Sequence, residues 1–205
     1  MPSVTIMIDG PDGVGKTTQL RQLATTLTDR GYRVYVTRMN GGTEIGEALR
    51  HVLLADYDRP PATDYYIMQA VTAALIEDLA ARRAEYDIIL VDRSPLALLA
   101  YQVHADGFSA EVAYPAVEQT LGQIAPSLLL CLSTSLETIM QRMAERDNSD
   151  HFESQPFSYH ERVMAGYEAA EQRIQVTMID ANGSVDEVFA RIMSQVEPIL
   201  PVQNA

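Results

Sequence analysis

Residues 6–18 read Ile6-Met7-Ile8-Asp9-Gly10-Pro11-Asp12-Gly13-Val14-Gly15-Lys16-Thr17-Thr18. Gly10, Gly15, Lys16 and Thr17 satisfy G-x-x-x-x-G-K-[ST], with an apolar run before and an amphipathic segment after, the setting that a phosphate-binding loop requires. Such a loop turns its backbone N–H groups inward around an anion, and glycines permit the turn because no Cβ obstructs it. The helix that follows adds its N-terminal dipole and unpaired N–H groups. Lys16 then reaches the outer phosphates, and the Thr17 hydroxyl is placed to ligate Mg²⁺. Lys16 is also the only lysine in the chain; every other Lys/Arg position is arginine.

The rest of the chain alternates short apolar runs with helical periodicity. Strands are predicted at residues 4–8, 33–37, 87–91, 127–132 and 176–179. Helices are predicted at 16–29, 44–54, from a cap at Thr63 or Asp64 to about residue 83, then at 95–104, 110–124, 136–146, 159–173 and 185–196. A polar loop spans 146–155. Near-continuous apolar strands separated by helices imply a parallel sheet covered on both faces, and ligands of such sheets bind beyond the carboxyl ends of the strands. The glycine loop, Arg38, Asp92 and the loop after Asp180 all fall at such ends, so one crevice can hold them.

At 205 residues, 47% of them hydrophobic and 21% charged, a single globular domain spanning 1–205 is expected. A net charge of −13 argues against a general nucleic-acid or anionic-membrane partner. Cys131 stands alone within Leu128-Leu129-Leu130-Cys131-Leu132, which leaves no disulfide framework and suits a small buried hydrophobe. With no apolar run approaching 18 residues and no signal segment, the expectation is a cytoplasmic protein.

Ile88-Ile89-Leu90-Val91-Asp92-Arg93 is an apolar strand ending in an acid. Asp92 can anchor Mg²⁺ beside the phosphate loop or can simply cap the next turn. Arg93 is either a fixed cation at the crevice or a solvated arginine. A single lysine leaves no Asn-Lys-x-Asp guanine signature. Arginine rather than glutamate after Asp92 removes the water-activating acid of motor ATPases. Both absences favour transfer to an acceptor, which calls for cations around two phosphate groups and a lid that excludes water. Arg38, Arg93, Arg142 and Arg146 are available for that work.

These residues, together with Thr37-Arg38-Met39-Asn40-Gly41-Gly42-Thr43, Asp92-Arg93 followed by Ala100-Tyr101-Gln102, Asp150-His151-Phe152-Glu153 with Arg162 and Tyr167, and Ile179-Asp180-Ala181, resemble the thymidylate kinase family along most of the chain. The resemblance implies a three-layer α/β P-loop NTPase fold with a five-stranded parallel sheet and a lid near 146–156. It implies an ATP-dependent phosphotransferase that uses Mg²⁺, takes nucleotide substrates and forms a homodimer. Gly10, Gly13, Val14, Gly15, Lys16, Thr17 and Thr18 would bind the ATP phosphates, with Thr17 and Asp92 at the metal. Asp12, Arg38, Met68, Thr72, Arg93, Tyr101, Asp150 and Glu153 would face the acceptor. Lys16, Arg93, Arg146 and Asp12 would act in catalysis, with Arg142 second to Arg146 as the lid arginine.

The chain departs from the family pattern around the base. The family carries Glu-Pro where Met39-Asn40 stand, and a Phe and an Arg for the base where Met68 and Thr72 stand. Leu98 occupies a position that is polar in some members. A thioether does not stack as a ring does, and a threonine lacks a guanidinium's reach. The expected reaction is transfer of the ATP γ-phosphoryl to dTMP or a related nucleotide. A kinase for a modified nucleotide or another small phosphate acceptor, and a non-catalytic nucleotide-binding regulatory module, stand as the alternatives.

Overall fold

Five strands form one all-parallel sheet in the order β2-β3-β1-β4-β5, where β1 is Val4–Asp9, β2 Val34–Arg38, β3 Ile88–Asp92, β4 Leu128–Ser133 and β5 Thr177–Asp180. The computed structural model describes residues 3–145, 151–152 and 154–202. Arg146, Asp150 and Glu153, and with them most of the expected lid, lie outside the described residues.

Alternation of side chains along β1 and β3 decides the layers. Ile6, Ile8, Ile88 and Leu90 face one side and are covered by α1 (Lys16–Asp29) and α8 (Val185–Val196). Met7, Ile89 and Val91 face the other side, where α3 (Pro61–Arg82), α5 (Ala110–Ile124) and α7 (Phe157–Glu171) pack. All of these strand residues are fully buried. At about 25 cal/mol per Å² of apolar surface withdrawn from water, a core on each face is what holds such a sheet between its helix layers. Cys131 is buried in the second core, as its neighbours suggest, and burial pushes its thiol well above the usual range.

The remaining helices place the site. The helix α2 (Glu44–Leu54) is capped by Thr43, whose hydroxyl accepts from the Gly46 N–H at 3.0 Å. The helix α3 starts at Pro61 rather than at a Thr63 or Asp64 cap, because proline at the first turn sets φ without forfeiting a needed N–H. Asp64 instead pairs with Arg59, which also donates to the Ala55 and Leu53 carbonyls at 2.9 and 2.7 Å and ties the α2–α3 connection. After β3 a short turn, α4 (Leu96–Leu98), runs into a π-helical stretch, Leu99–Ala105, where one α-helix was expected. The helix α7 packs closely on that stretch. A Cβ on Gly166 would stand 2.6 Å from Ala100 Cα, so only glycine lets the two backbones approach this far. The helix α6 (Leu136–Ala144) follows β4, and Ser184 begins α8 with a reciprocal cap to Glu187. Among the described residues, no helix is long and apolar enough to cross a membrane.

Strand order reverses at β1, whose neighbours are β3 and β4, and that reversal opens a crevice at its carboxyl end. Register aligns Ile8 and Arg38 with Asp92 on either side, so residues from three strands share one rank at this edge.

Candidate active site

The turn out of β1 is built by backbone that only glycine tolerates. Gly10 has φ 134°, and a Cβ there would lie 2.4 Å from the Leu132 carbonyl oxygen. Gly13 and Gly15 also have positive φ, and Gly15 caps α1. Val14 closes the loop by donating its N–H to the Pro11 carbonyl at 3.3 Å. Inside the turn the Lys16 ammonium donates to the Gly10 and Pro11 carbonyls at 2.7 and 2.9 Å and lies 3.6 Å from Asp12 Oδ1. Burial, then the charge of Arg93, lowers the Lys16 pKa; Asp12, Asp9 and Asp92 oppose the shift.

Asp9, unassigned on sequence grounds, is fully buried beneath the loop. Its carboxylate accepts from the N–H of Gly10 at 2.8 Å, the N–H and Oγ of Ser94 at 2.9 and 2.6 Å, and the N–H of Ala97 at 3.2 Å. Tyr167 of α7 donates to Asp9 Oδ1 at 2.9 Å and also lies 3.0 Å from the Gly10 carbonyl. A buried carboxylate stripped of water is stabilised only by such donors. Asp9 therefore clamps the phosphate loop, the segment after β3 and α7 in one arrangement. The signal for it was an acid at the end of an otherwise apolar strand, directly before the loop glycine.

Asp12 and Arg93 form a salt bridge at the centre of the crevice. The Tyr101 hydroxyl donates to Asp12 Oδ2 at 2.6 Å and accepts from the Asp12 N–H at 3.2 Å. Burial alone would raise the Asp12 pKa. The charges of Arg93 and Lys16, with hydrogen bonds from Tyr101 and Arg93, outweigh burial and hold it well below the usual carboxylate range. Arg93 is the counterpart: against burial, Asp12 foremost raises its pKa. Burial and then Asp12 likewise push the Tyr101 hydroxyl up. Arg93 has φ 71°, a left-handed conformation costly for a side-chain-bearing residue, and its N–H donates to the Ile8 carbonyl at 2.8 Å.

Thr17 Oγ1 donates to Asp92 Oδ2 at 3.2 Å, while Asp92 Oδ1 is buried with no hydrogen-bond partner. Two hard oxygen ligands, one of them unsatisfied, fit Mg²⁺, which takes one or two protein oxygens and completes its shell with phosphate and water. Among the described residues, no group of three or more His, Cys, Asp or Glu is placed to hold a metal ion.

Three cavities lie along the crevice. The first is bounded by Asp12, Asn40, Arg50, Leu53, Met68, Arg93, Ala97, Tyr101, Gln102 and Phe152. The second, about 240 Å³, runs over the loop past Gly13, Gly15, Lys16, Thr17, Thr18 and Asp92 to Arg38. Asp12, Asn40, Arg50 and Arg93 line both. The third, about 380 Å³, continues from Gly13, Gly15 and Thr18 to Arg142, Ala181 and Val185. Arg142 spans that end, donating to the Val14 and Ala181 carbonyls at 3.2 and 3.3 Å.

Of the residues expected to face an acceptor, the fold brings Asp12, Met68, Arg93 and Tyr101 to the first cavity. Arg38 reaches the second, where Glu47 holds it. Thr72 is buried at 4% exposure in the packed face of α3 and is not among the residues lining these three cavities. Several lining residues carry no assignment on sequence grounds, Arg50, Gln102 and Phe152 among them. Arg50 donates to the Asn40 carbonyl at 2.9 Å, and Gln102 is only 3% exposed. Phe152 comes from the segment before α7.

A sequence model of the family described as thymidylate kinase matches residues 8–192. A thymidylate kinase of Synechococcus sp. (strain JA-2-3B'a(2-13)) is 33% identical over 203 residues, covering 98% of this chain and 97% of its own. That of Deinococcus radiodurans is 32% identical over 197 residues, covering 93% and 95%. That of Caulobacter vibrioides is 34% identical over 192 residues, covering 91% and 92%.

Proposed function

The chain belongs to the thymidylate kinase family, and from that premise and the geometry of the crevice we propose that it transfers the γ-phosphoryl group of ATP to dTMP. It is an ATP-dependent phosphotransferase of P-loop α/β fold. The observation that carries the reading is the wall shared by the first two cavities. Asp12, Asn40, Arg50 and Arg93 border both the space over the phosphate loop and the apolar cleft beyond it. A hydrolase has no need of a second, apolar-lined compartment on the far side of its phosphates. A transferase needs one, because an acceptor must be held in line with the donor.

In this reading ATP lies along the third and second cavities, with Arg142 and Ala181 at its base end and residues 13–18 around its phosphates. Lys16 and Arg93 neutralise charge that builds on the transferred group, inside a site where desolvation strengthens each interaction. Asp12 has two tasks. It fixes the Arg93 guanidinium and the Tyr101 ring, and as a carboxylate that stays ionised it can accept a hydrogen bond from the acceptor's sugar hydroxyl. Arg38 and Arg50 supply positive charge to the acceptor's phosphate. Thr17 and Asp92 would hold Mg²⁺ with the nucleotide, and the ion would supply charge neutralisation at the phosphates.

Two wider expectations belong to the same proposal. Exposed Ile45 and Val52 on α2 and Tyr66 on α3 support a homodimer through helices beside the sheet. The net charge of −13 supports nucleotides rather than nucleic acids as partners, and a cytoplasmic location goes with such substrates.

ADP release from ATP, measured against a panel of nucleoside monophosphates, tests the reading. Preference for dTMP is expected, with turnover abolished by Lys16→Ala. A wild-type chain that phosphorylates another acceptor better, or none, overturns it.

A further inference from the structure

A nucleobase binds best against a flat apolar face, and α3 does not offer one to the acceptor cleft. Met68 stands there, buried at 4% exposure, and a thioether side chain packs without stacking. Two aromatic side chains line the cleft, Tyr101 and Phe152. Tyr101 is already committed. Its hydroxyl is held by Asp12 at 2.6 Å, and the Arg93 guanidinium carbon lies 5.5 Å from its ring centroid. Phe152 comes from the chain segment that leads into α7, not from α3, and packs half-buried against the core. Its ring stands edge-to-face with Tyr101 at 5.7 Å and 83°, and with His151 at 5.3 Å and 77°. The Gln155 N–H donates to the Phe152 carbonyl at 3.3 Å and fixes the turn that presents it.

We propose that Phe152 supplies the aromatic face for the acceptor's base, so that the base is held between the Met68 thioether and the Phe152 ring. The inference rests on the proposed function and deepens it by assigning base binding to a residue outside α3. It has a chemical consequence. A thioether adapts its shape where a second ring would not, so the cleft grips a pyrimidine through one rigid face and one compliant one.

The chain contains no tryptophan, so Phe152→Trp introduces one indole at the position in question, excited selectively at wavelengths where the tyrosines do not absorb. Adding dTMP without ATP should quench its emission saturably as the base stacks on the indole. In steady-state assays Phe152→Leu, which keeps apolar bulk but removes the ring, and Phe152→Ala should each raise the KM for dTMP about tenfold, the scale of one lost base–aromatic stack. The kcat and the KM for ATP should stay within about twofold, and Phe152→Tyr should behave as wild type. If wild type phosphorylates dTMP while the Leu and Ala variants keep its KM within about twofold, the inference fails and the proposed function stands. Unchanged emission of the Trp variant at saturating dTMP defeats the inference in the same way. A wild type that phosphorylates no nucleoside monophosphate removes the proposed function and this inference with it.

Discussion

Glu47 holds Arg38 in place: its Oε1 accepts from Arg38 Nε at 2.8 Å and Nη2 at 2.7 Å, and from the Gly42 N–H at 2.8 Å. Burial raises the Glu47 pKa, but the Gly42 and Arg38 hydrogen bonds outweigh it and lower it overall. Arg38 is half exposed, so without this carboxylate its guanidinium would sweep a wide range of rotamers.

Glu47→Gln should raise the KM for dTMP by about three- to tenfold, as expected for losing a charge-assisted, partly solvated contact. The KM for ATP should hardly move. Arg38→Ala should exceed that effect on the same parameter. Equal changes in the KM of both substrates would show that Glu47 supports the fold rather than the acceptor's phosphate.

Asp12→Asn removes a carboxylate that Arg93, Lys16 and Tyr101 all address. Loss of kcat/KM for dTMP should be at least about a hundredfold, the scale of removing one preorganised electrostatic contact. Because the folded pKa of Asp12 is depressed, its ionisation stabilises the fold above the usual carboxylate pKa. That contribution disappears as pH falls through the folded value. No acid limb from Asp12 is therefore expected in a rate profile between about pH 5 and 8.

Chelation of divalent metal should abolish turnover, and Mg²⁺ should restore it. Asp92→Asn should raise the Mg²⁺ concentration at half-maximal rate by about ten- to a hundredfold. Thr17→Ser retains the oxygen and should stay close to wild type, whereas Thr17→Val should not. A metal requirement unmoved by either Asp92→Asn or Thr17→Val would place the metal elsewhere.

Asp106, at the end of the π-helical stretch, has its pKa raised to about 6, chiefly by burial and further by Asp64, against Tyr159, His151 and Arg162. A folded pKa above the unfolded value of 3.8 means that the folded state holds its proton longer. Stability from this group is thus complete below the unfolded pKa and is lost as pH rises through about 6. Asp106→Asn should melt at a higher temperature than wild type at pH 8, with the difference closing by pH 4. Parallel melting curves at both pH values would contradict the assignment.

The strand ends show how far the sequence could be read. The predicted strands end at Ile8, Thr37, Val91, Leu132 and Ile179, four of the five on an apolar residue. Each observed strand runs one residue further, through Asp9, Arg38, Asp92, Ser133 and Asp180. The ladder is made by backbone groups, and it carries a polar residue as readily as an apolar one: Arg38 pairs with Asp92, Asp9 with Cys131 and Ser133 with Asp180. Hydrophobic pattern therefore ends each strand one residue early, while Arg38, Asp92 and Asp180 remain legible as crevice residues from their place just beyond the strand. The glycine loop was legible because its chemistry demands a fixed spacing. Asp9 stands out only as an acid before the loop glycine, and its clamping role was not legible, since a buried carboxylate shows its donors only after Ser94, Ala97 and Tyr167 have been folded around it. Likewise, the wider turn of Leu99–Ala105 has no distinct signature in an apolar run, yet it is the stretch that brings both Tyr101 and Gln102 to the cleft. Phe152 lies far along the chain from β3 and α3, and only the tertiary fold sets it beside them.

The isolation of Lys16 has a practical meaning for chemistry at the bench. The chain's only ε-amine sits inside the glycine loop, 7% exposed and bonded to two carbonyls. Apart from a terminal α-amine, an amine-directed reagent has no other nitrogen of this kind to label, so modification mapped to the Lys16 peptide reports directly on access to that loop. Any ligand that covers the loop should protect the whole molecule's lysine content from modification.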